Sequence, residues 1–163
     1  MDQKPNAVAK GRRVALIEGC RTPFVKAFAE YNGLTSLDLA RLAAKESLYR
    51  AGLRPSDVDQ VVWSTTIPVL RYPNLGREVA IALGMPKVPG FTVMRACASG
   101  LQALTSAAEH IGVGYSDVAL VGGTDSLSNT PVPYTKKVID ALQGFAKARS
   151  MKTRLQALAA LPA

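Results

Sequence analysis

Short, continuous apolar runs alternate along the chain with longer stretches whose apolar residues recur every three or four positions. The runs read as strands: residues 14–17 (Val-Ala-Leu-Ile), 61–67 (Val-Val-Trp-Ser-Thr-Thr-Ile), 91–93 (Phe-Thr-Val) and 117–121 (Asp-Val-Ala-Leu-Val). Unbroken apolar character suits strands covered on both faces. The run at 91–93 reads as short, buried and central. Between the runs the spacing is helical. Thr35 is a natural N-cap, with Asp38 three residues on in a variant of the capping box and Leu34 and Leu39 placed as a hydrophobic staple. Leu39, Leu42 and Ala43 continue one apolar face, and Gly52 stands where that helix stops. Asn74 caps a second helix, which Gly84 and Pro86 end. A third, alanine-rich helix begins after Ser99. The order β-α-β-α-β-α-β predicts an α/β fold, a mostly parallel sheet with helices on both faces. Ligands then bind beyond the carboxyl ends of the strands.

From Pro131 the composition changes. Pro131 and Pro133 make a linker. Lys136, Lys137, Lys147, Arg149, Lys152 and Arg154 follow, with Asp140 the one acid among them. Val138, Leu142 and Phe145 lie four and three apart, which predicts a basic amphipathic helix, and a break near Ser150 precedes residues 151–155. The expected organisation is a mobile lead-in at 1–12, an α/β domain at 13–130 and a basic helical segment at 131–163.

The 163 residues are 48% apolar and 20% charged, the make-up of a globular domain. The apolar runs are too short to span a bilayer. The basic N-terminal stretch has no apolar core before Arg13, so a secretory signal is not expected. Two cysteines make no disulfide framework, and the expected location is the cytoplasm. A net charge of +8 admits an anionic partner. With aromatics at 6% and no nucleic-acid motif, nucleic acid is set aside. No metal site is read.

The chemistry gathers at Cys97, where the strand-like text of 91–93 gives way to the helix after Ser99. A side chain there stands on a tight turn near the positive end of a helix dipole, which favours an anionic sulfur. Gly100 lets the backbone come close to whatever the sulfur attacks, and nearby backbone N–H groups are candidates to stabilise an oxyanion. The plain alternative is a small buried hydrophobe without reactivity. Cys20 has no base beside it in the sequence and reads as structural.

In these residues the chain resembles the thiolases. The stretch from Val93 to Ile111 resembles their acyl-enzyme motif, in which a cysteine flanked by small residues takes the acyl group of an acyl-coenzyme A. Met94 stands where the family usually has Asn, Ser or Thr. Arg21-Thr22-Pro23-Phe24 resembles the stretch after the family's first strand. Residues 122–129 (Gly-Gly-Thr-Asp-Ser-Leu-Ser-Asn) resemble the stretch after the fourth, read as structural support for the active-site floor. Residues 147–155 (Lys-Ala-Arg-Ser-Met-Lys-Thr-Arg-Leu) most resemble the fatty-acid-oxidation, trifunctional-complex type.

The resemblance covers the chain from about Arg13 onward, but only the first half of the family's pattern. It implies a thiolase-like layered fold, first half only, with the start of a helical loop domain that covers coenzyme A. It implies an acyltransferase that cleaves 3-ketoacyl-CoA with CoA, or condenses acyl-CoAs, through an acyl-enzyme on Cys97 that forms by attack on the thioester. CoA is then a substrate, with no covalently bound cofactor. Lys147, Arg149, Met151, Lys152 and Arg154 are the implied CoA contacts. The implied assembly is a homodimer, with a hydratase/dehydrogenase partner subunit in the trifunctional type. The family's activating histidine, in Gly-His-Pro, and its second cysteine belong to the other half, and neither motif occurs in this chain. The single histidine, His110, lies 13 positions after Cys97. That is about 20 Å along a helix, so it is read as a helix-end residue and not as the base. The fragment alone is expected to form an acyl-enzyme slowly at best. The family's fifth strand is not legible, so the fourth is expected to keep an open edge and the chain to be poorly soluble.

Two other readings stay open. One is a non-catalytic truncated module that binds CoA, an anionic membrane or a partner subunit through its basic segment, or an exposed basic helix with no ligand. The other is a ketoacyl synthase, which shares a cysteine at a similar elbow; the Arg-Thr-Pro-Phe stretch and the basic insert favour thiolase.

Overall fold

The computed structural model describes residues 12–148 and 150–159. The expected lead-in falls outside them except for Arg12. Three strands, β1 (Gln60–Ser64), β2 (Gly90–Val93) and β3 (Ala119–Gly123), form one sheet in the order β2-β1-β3. Both pairings are parallel, with Val62 opposite Phe91 and Val121. Around them lie α1 (Ser36–Arg50), α2 (Leu75–Ala82) and α3 (Ser99–Gly112), and further along α4 (Lys136–Lys147) and α5 (Met151–Ala159). The chain divides into two compact units, the first up to Thr130 and the second from Pro131.

The sheet is layered because β1 is buried along its whole length and its side chains alternate between faces. Val61 and Trp63 join Ala40, Ala44 and Leu48 of α1 and Leu75, Val79 and Ala80 of α2 in one core. Val62 faces the other way, against Ala103 and Ala107 of α3. Small residues at both α3 contacts let that helix lie close. On the first face the fit is tighter still: a Cβ on Gly76 of α2 would stand 2.2 Å from the Phe91 carbonyl oxygen. Only glycine brings α2 this near β2.

The helix ends follow the sequence. Thr35 accepts from the Asp38 amide while the Asp38 side chain accepts from the Thr35 amide, a closed capping box. Asn74 caps α2 through the Arg77 amide, and Gly52 and Gly84 take positive φ at the ends of α1 and α2. In the second unit α4 and α5 pack on one another, Lys136 pairs with Asp140, and the Ser150 side chain accepts from the Thr153 amide at 3.3 Å. Among the described residues no helix is long and apolar enough to cross a membrane.

Several expectations are corrected. Residues 14–17 form no strand, and Leu16 and Ile17 are exposed. A cavity of about 390 Å³ is lined by Ala15, Leu16 and Ile17 together with Ala119, Leu120 and Val121 of β3. Apolar residues make a strand only when they bond to a free edge, and this segment lies across the gap from β3 without a ladder bond to it. The run at 91–93 lies at the sheet edge, half-buried; β1 is the central strand. β1 ends at Ser64, not at Ile67. β3 starts two residues late because the Asp117 and Val118 amides donate to the Asp59 carboxylate, each at 2.9 Å, and it runs on through both glycines. On α1 the buried face is Ser36, Leu39, Ala40, Ala44 and Leu48, while Leu42 points outward.

Candidate active site

The turn between β2 and α3 is held in an uncommon backbone shape. Ala96 has φ +47°, a left-handed conformation that is costly for a residue with a Cβ, on the order of 1 kcal/mol or more. Its neighbours hold it there. The Ser99 hydroxyl donates to the Ala96 carbonyl at 2.6 Å and accepts from the Arg95 amide at 2.7 Å. The Ser99 amide reaches the same carbonyl at 3.1 Å, and the Thr66 hydroxyl reaches it from the loop after β1 at 3.3 Å. Ser99 is itself buried. Ala98 offers α3 no side-chain cap, so the Ser99 hydroxyl closes the turn instead.

Cys97 follows Ala96 at this elbow, and its thiol is exposed. It is not the buried small hydrophobe of the plain alternative. It stands two residues before the first residue of α3, where the Gly100 and Leu101 amides have no intrahelical acceptor. The elbow thus presents a free sulfur beside a positive helix end and backbone donors, an arrangement suited to attack on a carbonyl. Arg95, exposed, donates to Gln102 at 2.8 Å along α3. Met94, the departure from the family motif, is exposed beside it and makes no part of the turn's hydrogen bonding.

Residues 122–129 are expected to support the active-site floor, and the one among them that reaches this elbow's loop, which the stretch by itself does not single out, is Asp125. The Asp125 carboxylate accepts from the Thr65 hydroxyl at 2.7 Å and from the Thr66 and Ile67 amides, both at 2.9 Å. It gathers the loop after β1 that carries Thr66. The signal that could have found it is a lone acid directly after a strand, facing a Thr-Thr pair after the neighbouring strand.

The other candidate residues lie elsewhere. The Cys20 thiol is half-buried and donates to the Ala43 carbonyl at 3.0 Å, on the wall of a cavity of about 610 Å³ that Trp63, Thr66 and Asp125 also line. His110 sits in the last turn of α3, its Nδ1 2.8 Å from Gln60 Oε1 and its ring between Phe91 and Tyr115. It is occupied far from Cys97. Lys147 ends α4, and Met151, Lys152 and Arg154 are exposed on α5. Arg154 lies over the Phe145 ring at 5.6 Å. Arg149 lies outside the described residues. Among the described residues no group of His, Cys, Asp and Glu could hold a metal ion.

Comparison with known proteins gives a consistent result. The family model described as the thiolase N-terminal domain matches residues 14–159. A 3-ketoacyl-CoA thiolase of Shewanella pealeana is 35% identical over 155 residues, 94% of this chain and 36% of that protein. The chain thus spans about a third of the length of the curated relatives it matches. Among solved structures, an acetyl-CoA acetyltransferase of Bacillus anthracis superposes with a TM-score of 0.70 at 32% identity, covering 73% of this chain and 30% of that one. A thiolase of Ascaris suum, solved in complex with coenzyme A, gives a TM-score of 0.70 at 26% identity over 74% of this chain and 32% of that one.

Proposed function

Because the chain belongs to the thiolase family, as its N-terminal domain, we propose that Cys97 is the acyl-accepting nucleophile of a 3-ketoacyl-CoA thiolase. The observation that carries this reading is the exposed thiol on an elbow whose preceding residue is locked at positive φ.

The balance of atoms corrects where the sulfur attacks. Addition to the thioester carbonyl of a 3-ketoacyl-CoA would expel CoA and leave the carbon chain whole. Cleavage requires addition of Cys97 Sγ to the 3-keto carbon. The new S–C bond forms, the oxyanion collapses, and the bond between carbons 2 and 3 breaks. Carbon 2 leaves with the electron pair and takes a proton, as acetyl-CoA. A free CoA thiol then attacks the acyl-enzyme, giving the shortened acyl-CoA and restoring the sulfur. The base for Cys97 and the proton donor for carbon 2 belong to the second half of the family pattern, which these 163 residues do not include.

The basic surface of α4 and α5 suits the phosphates of CoA. Lys147, Met151, Lys152 and Arg154, with Arg149, are the proposed contacts, and CoA is a substrate with no covalently bound cofactor beside it. For the complete enzyme the reading extends to fatty-acid breakdown in the cytoplasm, as a homodimer joined by a hydratase/dehydrogenase partner subunit. Its support is the likeness of residues 147–155 to the trifunctional-complex type.

The test is mass spectrometry after brief exposure to iodoacetamide or to an acyl-CoA. Cys97 is expected to be modified well before Cys20. Equal rates would remove the activated nucleophile. If CoA binding survives Cys97→Ser and is lost on neutralising Lys147, Lys152 and Arg154 while Cys97 stays inert, the chain is a binding module instead.

A further inference from the structure

We infer that Asp125 and Thr66 are positioning residues that fix the direction of the Cys97 amide, and so set how well the elbow stabilises an acyl-transfer oxyanion. The inference rests on Cys97 being the nucleophile and goes beyond it, since neither residue touches the sulfur. The peptide between Ala96 and Cys97 is planar and trans, so its carbonyl and its N–H point in opposite directions. Three donors converge on that carbonyl: the Ser99 amide, the Ser99 hydroxyl and the Thr66 hydroxyl. Holding the carbonyl inward turns the Cys97 N–H the other way.

Two of the three donors come from one residue of the turn itself, Ser99. The Thr66 hydroxyl is the one that ties the elbow to the central strand, and its place is set by Asp125. Two successive amides, those of Thr66 and Ile67, and the Thr65 hydroxyl all donate to one carboxylate oxygen of Asp125, at 2.9, 2.9 and 2.7 Å. A carboxylate accepting three donors holds a loop more firmly than neutral acceptors do. Asp125 in turn is placed by β3, whose Thr124 amide continues the ladder to the Ser64 carbonyl at 3.0 Å. The path therefore runs from β3 through Asp125, the 65–67 loop and Thr66 to the peptide plane before Cys97.

Two reagents separate this role from a merely structural one. Iodoacetamide alkylates the sulfur by displacement at carbon and needs no oxyanion donor. p-Nitrophenyl acetate acylates it through a tetrahedral oxyanion: the S–C bond forms, the C–O bond breaks, p-nitrophenolate leaves, and the thiol proton goes to solvent. The ratio of acylation to alkylation rates at Cys97, measured on the 163-residue chain, reports the donors alone. Removing one oxyanion donor outright costs on the order of 100-fold or more. Misdirecting one through Thr66→Val is expected to lower the ratio about tenfold, with alkylation little changed, and Thr66→Ser to restore it. Asp125→Ala is expected to lower the ratio as much as Thr66→Val does, and the double variant no further. An unchanged ratio in Thr66→Val, with Cys97 still faster than Cys20, overturns this inference alone. Should Asp125→Ala fail to fold, the exposed Thr66 pair decides it. A wild-type Cys97 no faster than Cys20 overturns both this inference and the nucleophile beneath it.

Discussion

Gly122 lies directly against the indole of Trp63 on the adjacent strand: a Cβ placed on it would stand 2.3 Å from the ring. The two residues are register partners in the β1–β3 pair. The glycine is there because the neighbouring ring fills its side-chain space, not because the chain turns. Gly122→Ala is expected to destabilise the chain by about 1–3 kcal/mol, the usual range for overpacking. Trp63 is the chain's one tryptophan, so its fluorescence in a urea titration reads the effect at the site itself. At Gly123 the clash is with the movable Ser64 hydroxyl at 2.1 Å, and Gly123→Ala is expected to cost less.

Leu48 and Leu42 test which face of α1 is buried. They lie six residues apart on one helix, yet Leu48 is 6% exposed and Leu42 51%. Leu48→Ala is expected to cost about 2–5 kcal/mol, as a large-to-small change in a core. Leu42→Ala is expected to stay within about 0.5 kcal/mol, as for an isolated surface change. Equal losses in chemical denaturation would mean that Leu42 is covered.

These pairs mark what the residues revealed of their own accord. Local signals were legible: the Thr35–Asp38 box, the Asn74 cap and the strand-turn-helix at Cys97 each depend on residues within a few positions. Leu42 was misplaced because a spacing of three and four fits more than one helix face, and the sheet behind α1 chooses the face. The run at 14–17 was read as a strand because it is apolar, but strand formation needs a partner edge that no local pattern records. The order β2-β1-β3, which puts 91–93 at the edge, is likewise a tertiary fact. Residues 122–129 were legible as support for the site floor, but Asp125 was not singled out among them because its donors lie 58 to 60 positions away.

Asp38 gives the chain an acid-sensitive helix start. Hydrogen bonds from the Thr35 side chain and backbone hold its carboxyl below the ordinary 3.8. A lowered folded-state value means that the stabilisation is fully present above pH 3.8 and is lost as pH falls through the lowered value. Asp57, pushed down to about 2 by hydrogen bonds from Arg54, works in the same direction and extends the loss toward that pH. Urea midpoints taken from pH 6 to pH 2.5 are expected to fall below about pH 4. Thr35→Ala removes the main cause of the Asp38 shift. It is expected to cost about 1 kcal/mol at neutral pH and to flatten that part of the acid slope. A slope unchanged in Thr35→Ala would place the acid sensitivity elsewhere.

The outer edge of β3 makes the last prediction. In a parallel strand, successive residues turn their amide and carbonyl to opposite sides. The Val118 carbonyl and Thr124 amide bond toward β1, so Ala119, Val121 and Gly123 turn theirs away from it, to the side where β3 has no strand partner among the described residues. Across the 390 Å³ gap lie Leu16 and Ile17, both exposed. An unpaired edge beside exposed apolar residues is a template for another strand. The isolated chain is therefore expected to self-associate, its sedimentation coefficient rising with concentration across the micromolar range. A strand-length peptide with alternating branched apolar residues is expected to compete with that association. Amide exchange then distinguishes the edges. On association the Ala119, Val121 and Gly123 amides are expected to slow, while those of β1, already paired on both sides, keep their rates. A chain that sediments as a monomer at all concentrations and melts cooperatively would mean that this edge is closed in solution.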